Sequence, residues 1–206
     1  MPILTELFYL PPIEYFVLIN GHQELYIDGT ERYQKQTYRN RAQILLANKV
    51  DTLSIPVLSG NKKQVYKEIK IDNSQKWKNV HLRGIQSAYG KAPFFEFFFP
   101  YLESVYAKDL TFLFDHNIEL LTVCLKLLQS DTKITVLSDD WDTNSFLDRR
   151  GKINAKEDFA FRNIMTAHPY DQIFGVNFVP NLSVLDLLFC KGPESKDILK
   201  LSKKND

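Results

Sequence analysis

The chain has 206 residues, enough for one domain of ordinary size with a sizeable core. Apolar residues make up 44% and charged residues 25%, the balance of a folded globular protein rather than a disordered one. A net charge of +1 excludes nucleic-acid binding by overall charge, so any cationic site must be local.

Residues 3–9 suit a short buried strand, and Pro11-Pro12 end it and can open a helix. Ile13, Phe16 and Val17 then share one helical face over 12–20, with Gly21 as the stop. Residues 24–28 read as a second strand, so the chain opens like a βαβ unit. Read as extended, 33–41 would put Tyr33, Lys35, Thr37, Arg39 and Arg41 on one face and Tyr38 and Asn40 on the other. Residues 43–46 continue as helix or strand, and 52–58 form a strand that Pro56 pushes toward an edge or an end. A turn at 60–63 leads to a half-exposed strand at 68–71.

Trp77, His81, Ile85 and Ala88 fall on one face of a helix over 75–89, with Ser74 as its cap and Gly90 as its end. The aromatic run 94–106 reads as core packing, kinked or broken at Pro100. Ile118, Leu121, Leu125 and Leu128 set a helix over 118–129, capped by Asn117 or Asp115. A strand follows at 133–138. Residues 139–172 are polar and form a loop of functional length, a lid or an insertion. Ser183 caps a last helix over 184–188, Gly192-Pro193 stop it, and 200–206 make a frayed tail. The expected fold is α/β: a single domain with a βαβ-type, mixed or mostly parallel sheet flanked by helices.

Cys124 and Cys190 sit in apolar runs and read as free core thiols of a reducing, cytoplasmic protein. No Cys/His spacing suits a metal, and no apolar stretch is long enough for a membrane span. Dinucleotide, P-loop and serine-hydrolase signatures are absent, and no cofactor is implied.

The stretch 33–41 carries the densest chemistry. Lys35, Arg39, Asn40 and Arg41 suit phosphates, and Tyr33 and Tyr38 can stack on a sugar or base. His81 and Asp115 are the candidate acid–base residues. Asp148, Arg149 and Arg150 lie where a loop could complete a cleft at the strand ends, Arg149 as a ligand-binding residue.

Five pieces appear in order: Tyr9-Leu10-Pro11 with Tyr15-Phe16; Lys35-x-Thr37-Tyr38-Arg39-Asn40-Arg41; Leu53-x-Ile55-Pro56-Val57; Trp77 and His81 to Tyr89 with Lys91-Ala92-Pro93-Phe94-Phe95; and Pro180 to Phe189 with Gly192-Pro193-Glu194-Ser195. Together they resemble the WbqC-like family of bacterial proteins, over nearly the whole chain. The family pattern has a histidine and a glutamine where this chain has Thr5 and Glu6, and paired aspartates where it has Asp28-Gly29. The resemblance implies a place in bacterial surface-polysaccharide (O-antigen) synthesis. It implies a transferase that modifies an amino sugar with a glycyl or other acyl group. The expected partners are small molecules, a nucleotide-activated or amino sugar and an acyl donor. A ligand-binding or assembly protein of such a pathway is the alternative, which the changed residues favour. Single-stranded nucleic-acid binding through the Tyr/Arg stretch is the weakest reading.

Overall fold

The computed structural model describes residues 1–58, 64–137, 141–142 and 145–204. The expected turn at 60–63, the segment Ser138–Asp140 and the last two residues lie outside the described residues.

Four strands form a parallel sheet: β1 (Ile3–Thr5), β2 (Glu24–Asp28), β5 (Lys133–Leu137) and β6 (Leu147–Asp148). Their order across the sheet is β5-β2-β1-β6. Leu4 lies beside Tyr26 on one side and Asp148 on the other. Helix α1 (Ile13–Ile19) crosses between β1 and β2, which gives the expected βαβ opening. Pro12 stands just before it, with the φ of −64° that a proline ring fixes. Strands β3 (Arg41–Leu46) and β4 (Lys49–Ser54) make a separate antiparallel pair.

Helices α2 (Trp77–Tyr89), α3 (Phe95–Tyr106), α4 (Leu113–Leu127), α5 (Val184–Lys191) and α6 (Ser195–Leu201) complete the fold. The α2 face read from periodicity is the buried one: Trp77, His81, Ile85 and Ala88 all face the core. Ser183 caps α5 as expected, its hydroxyl accepting from Leu185 N–H. Gly192 ends that helix with φ 51° and ψ −124°, a backbone only glycine adopts readily, and a Cβ there would overlap the Phe94 ring. Both cysteines are free and buried.

Several elements differ from expectation. The first strand stops at Thr5, because Tyr9 leaves the sheet to donate its N–H to the Tyr38 carbonyl and Leu10 takes a positive φ. The segment 33–40 is a run of turns, not an extended strand: Thr37 Oγ1 donates to the Gln34 carbonyl, and Gln36 has φ 60°. Residues 68–71 contribute only the end of a one-turn 3-10 helix and isolated bridges to Phe112 and Val57. Helix α3 runs unbroken through Pro100 and leaves Phe97 and Tyr101 exposed. Ser74 does not cap α2; it bonds Asp72. Neither Asp115 nor Asn117 caps α4, because the helix already begins at Leu113 and both lie inside it. The polar stretch hides β6, and the chain end is ordered through α6 to a bridge between Lys203 and Met165.

Candidate functional site

All strands of the parallel sheet end on one edge. The chain order runs outward from β1 through β2 to β5, then returns to β6 on the other side of β1. The reversal point of an open parallel sheet leaves a crevice at the carboxyl ends, and here it lies between β1 and β6. Three carboxylates stand at or just after the strand ends. Glu6 follows β1, Asp28 ends β2, and Asp148 ends β6.

Arg150 ties the strand ends together. Its guanidinium donates to Asp28 at 2.7 Å and to Asp148 at 2.7 Å, and it lies 4.9 Å from the centre of the Trp141 ring. Gly151 N–H donates to Glu6 Oε1 at 2.9 Å. Arg39, 4% exposed, donates to Glu31 at 2.7 Å and lies 3.8 Å from Glu6. The Arg39 backbone is fixed as well, since its carbonyl accepts from Asn117 Nδ2 on α4 and from Tyr66 OH.

Burial raises the pKa of Glu6, with Gly151 N–H and Arg39 only partly offsetting it. Burial pushes Glu31 up to about 7, against Arg39 and with help from Glu6 and Asp28. Burial works against the charge on Arg39, yet Glu31 and Glu6 outweigh it and hold its pKa above the ordinary value. Two buried carboxylates thus share one guanidinium, and their protons are held more tightly than in water.

Two adjoining recesses open beside this cluster. The inner one, about 240 Å³, is lined by Glu6, Phe8, Tyr38, Arg39, Gly151 and Ile153 among others. The outer one, about 400 Å³, is lined by Arg32, Tyr33, Gln34, Lys35, Thr37, Asn154 and Lys156. Gln34, Thr37 and Asn154 border both, so they form one continuous cleft between segments 32–39 and 151–156. Arg39 Nε, Glu31 Oε1 and Tyr33 OH are buried here without a hydrogen-bond partner. A buried polar atom without a partner calls for an explanation, and three of them stand together beside this cleft. A larger hollow, about 650 Å³, lies at the opposite, amino edge of the strands. None of its lining residues carries a buried unpaired polar atom, so the carboxyl edge is the better candidate.

The residues singled out from sequence divide between cleft and scaffold. Tyr33, Lys35, Tyr38 and Arg39 line the cleft. Asn40 is buried and holds the Ile55 carbonyl, and Arg41 begins β3 opposite Ser54. Arg149 donates its backbone N–H to the Leu4 carbonyl, which extends the β1–β6 pairing. Asp115 is exposed in the first turn of α4.

His81 is 3% exposed and lines neither recess. Its Nε2 faces the Ser54 carbonyl at 3.2 Å, so Nε2 carries the proton and Nδ1 accepts from Tyr9 OH at 2.7 Å. Tyr106 OH in turn donates to Tyr9 OH. Burial lowers the pKa of His81 to about 4 and that of His116 to about 3. These depressed values stabilise the fold above pH 6.5, and the contribution is lost as pH falls through about 4 and 3. The raised Glu31 acts in the opposite sense. Its contribution is full below 4.5 and lost as pH rises through about 7.

Sequence reasoning did not place Glu31 and Asp28 in the site, and named Glu6 only as a departure from a family pattern. Among the described residues, no three or more His, Cys, Asp or Glu side chains are grouped so that they could hold a metal ion. Among the described residues, no helix is long and apolar enough to cross a membrane.

Among proteins of known sequence, the chain is similar to "Uncharacterized protein Rv1507c" of Mycobacterium tuberculosis (strain ATCC 25618 / H37Rv). The two are 26% identical over 222 residues, which cover 93% of this chain and 94% of that protein. No solved structure matches. The profile of the WbqC-like protein family matches residues 8–158 and 144–198, which take in every residue lining the cleft except Glu6. The chain therefore belongs to the WbqC-like protein family.

Proposed function

We propose that the protein is a transferase of bacterial surface-polysaccharide synthesis that joins a glycyl or other acyl group to the amine of an amino sugar. The observation that carries this reading is Glu6. It is a nearly buried carboxylate in the wall of a cleft at the strand-order reversal, and burial raises its pKa. A base of this kind is what an amine nucleophile needs near neutral pH.

In the proposed step the amine nitrogen attacks the acyl carbonyl carbon, and a new C–N bond forms. The bond from the acyl group to its leaving group breaks, and the leaving group departs with that electron pair. The proton lost by the amine passes to a Glu6 carboxylate oxygen. Arg39 Nε, a buried donor without a partner, is the group available to the carbonyl oxygen as negative charge builds there. Tyr38 and Phe8, whose ring centres are 5.6 Å apart, give the inner recess an apolar wall on which a sugar ring can rest. The acid–base role rests on Glu6 in this reading, since His81 is enclosed by Trp77, Tyr9 and Tyr106.

The test is intact-product mass spectrometry. The purified protein is incubated with nucleotide-linked amino sugars and a panel of glycyl and acyl donors. The expected result is an amino-sugar product heavier by the acyl group. Binding of the sugars with no product from any donor would favour the non-catalytic ligand-binding alternative.

A further inference from the structure

Arg39 stands between two carboxylates and serves them unequally. Its Nη2 donates to Glu31 Oε2 at 2.7 Å and lies 3.8 Å from Glu6 Oε1, beyond hydrogen-bonding reach. Glu6 Oε1 accepts instead from the Gly151 backbone N–H at 2.9 Å. The three side chains are largely buried, at 5% exposure for Arg39, 10% for Glu6 and 13% for Glu31. Solvent and salt therefore screen this choice of partner only weakly.

The Arg39 backbone is fixed by Asn117 and Tyr66, but its Nε has no hydrogen-bond partner, so the guanidinium is held in place through Glu31. A shift of about 1 Å would bring the same Nη2 within reach of Glu6. Glu31 Oε1 is also without a partner, so a proton can sit there without breaking a contact. Glu31 lines neither recess, so it reaches a bound substrate only through its neighbours.

We infer that Glu31 is a positioning residue: it holds the Arg39 guanidinium off Glu6 and so keeps the Glu6 carboxylate free to accept a proton. The proton-accepting role of Glu6 rests on the transferase reading; the hold on Arg39 does not. An ionised Glu31 wins Arg39 through a charge-assisted bond, whereas a neutral Glu31 offers a weaker one and Arg39 turns to Glu6. Burial pushes Glu31 up to about 7, so the exchange falls near neutral pH. Above that pH Glu6 is free, and below it Glu6 is paired. Two other charged groups face the pair: Arg150 on the side of Glu6 and Asp28 on the side of Glu31. Arg150 stays charged, its pKa raised by the bonds to Asp148. The phenols of Tyr15, Tyr33 and Tyr66 complete the surroundings, and burial keeps all three protonated.

The experiment follows the Glu6 side-chain carboxyl carbon by NMR across pH, in the isotope-labelled native chain and in Glu31→Gln, with Glu6→Gln to assign the signal. Native Glu6 is expected to show two steps, its own and one near 7 set by Glu31. Glu31→Gln should keep the first and lose the second. A native signal without a step near 7 overturns the inference with no variant needed, and so does a step that survives in Glu31→Gln. With substrate, Glu31→Gln is expected to lower kcat roughly tenfold above neutral pH and to leave KM nearly unchanged. The native rise in kcat through about 7 should be absent from this variant. A fall by the same factor at every pH, as partial misfolding would give, overturns the positioning role. Loss of the step near 7 without acyl transfer from any donor would leave the hold on Arg39 standing and remove the transferase reading. Acyl transfer by Glu31→Gln with the native rate and pH profile would do the reverse.

Discussion

Glu6→Gln is expected to lower kcat by about 10²–10⁴-fold while leaving KM for the amino sugar nearly unchanged. Glutamine keeps the length and shape of the side chain. Its amide oxygen can still accept from Gly151 N–H, which holds Glu6 at 2.9 Å in the native chain. Arg39 keeps its 2.7 Å partner Glu31, so the wall of the recess stays in place. The variant loses the ability to take a proton and the weaker of the two ion pairs to Arg39, the one at 3.8 Å. The native rate should also fall on the acid side as Glu6 protonates, at a pH above the ordinary carboxylate value because burial raises this group. Glu6→Gln should abolish that limb of the profile. A fall in kcat/KM that comes entirely from KM would assign Glu6 to binding instead. The protocol is steady-state kinetics across pH on both proteins, with matched circular dichroism.

Arg162→Met is expected to cost about 3–5 kcal/mol of stability, the usual loss when one partner of a buried ion pair is removed. For a chain of this size that corresponds to roughly 6–20 °C in melting temperature. Arg162 reaches from the polar stretch to Glu14 on α1, and both side chains are almost wholly enclosed. Asn181 completes the clasp, donating from its amide to Glu14 at 2.9 Å and accepting from Glu14 N–H at 3.0 Å. Arg162 also donates to the carbonyls of Asn154 and Glu157, next to the cleft wall. Without the cation, the Glu14 carboxylate stays buried and uncompensated, and burial already raises its pKa. Pairing the change with Glu14→Gln removes that uncompensated charge, so the double variant should recover much of the loss. Urea unfolding of both singles and the double gives the coupling directly. Additive losses would mean that the two side chains are energetically independent.

What the sequence disclosed depended on how local each feature is. Helix α2 was legible because its buried face repeats within one segment, and His81 was rightly placed on that face. Strand β2 was legible for the same reason, and so was the Ser183 cap, whose partner is two residues away. The segment 33–41 was recognisable as chemistry but not as shape. Its turns follow from contacts made across the fold, such as Tyr9 N–H to the Tyr38 carbonyl and Asn117 to the Arg39 carbonyl. Strand β6 is two residues long and exists only because Leu147 and Asp148 pair with β1. No periodicity can announce so short an element.

The site was harder still. Glu6 is just a charge at the end of an apolar run until Gly151 arrives from 145 residues further along the chain. Glu31 reads as an ordinary acid until burial beside Arg39 shifts its proton affinity. Arg39 was legible as a cation that needed partners, but not that the partners would be carboxylates of this chain rather than phosphates. Asp148 and Arg150 were legible as charges on a loop that could complete a cleft at the strand ends. Their joint grip on Asp28 is a consequence of the strand order.

The central claim is that the inner recess beside Glu6 is where the substrate amine reacts. A crystal structure of the native chain soaked with a nucleotide-linked amino sugar tests this most directly. The account predicts the amine nitrogen within hydrogen-bonding distance of a Glu6 carboxylate oxygen. A ligand seated in the hollow at the amino edge of the sheet, or one whose amine points away from Glu6, would contradict it.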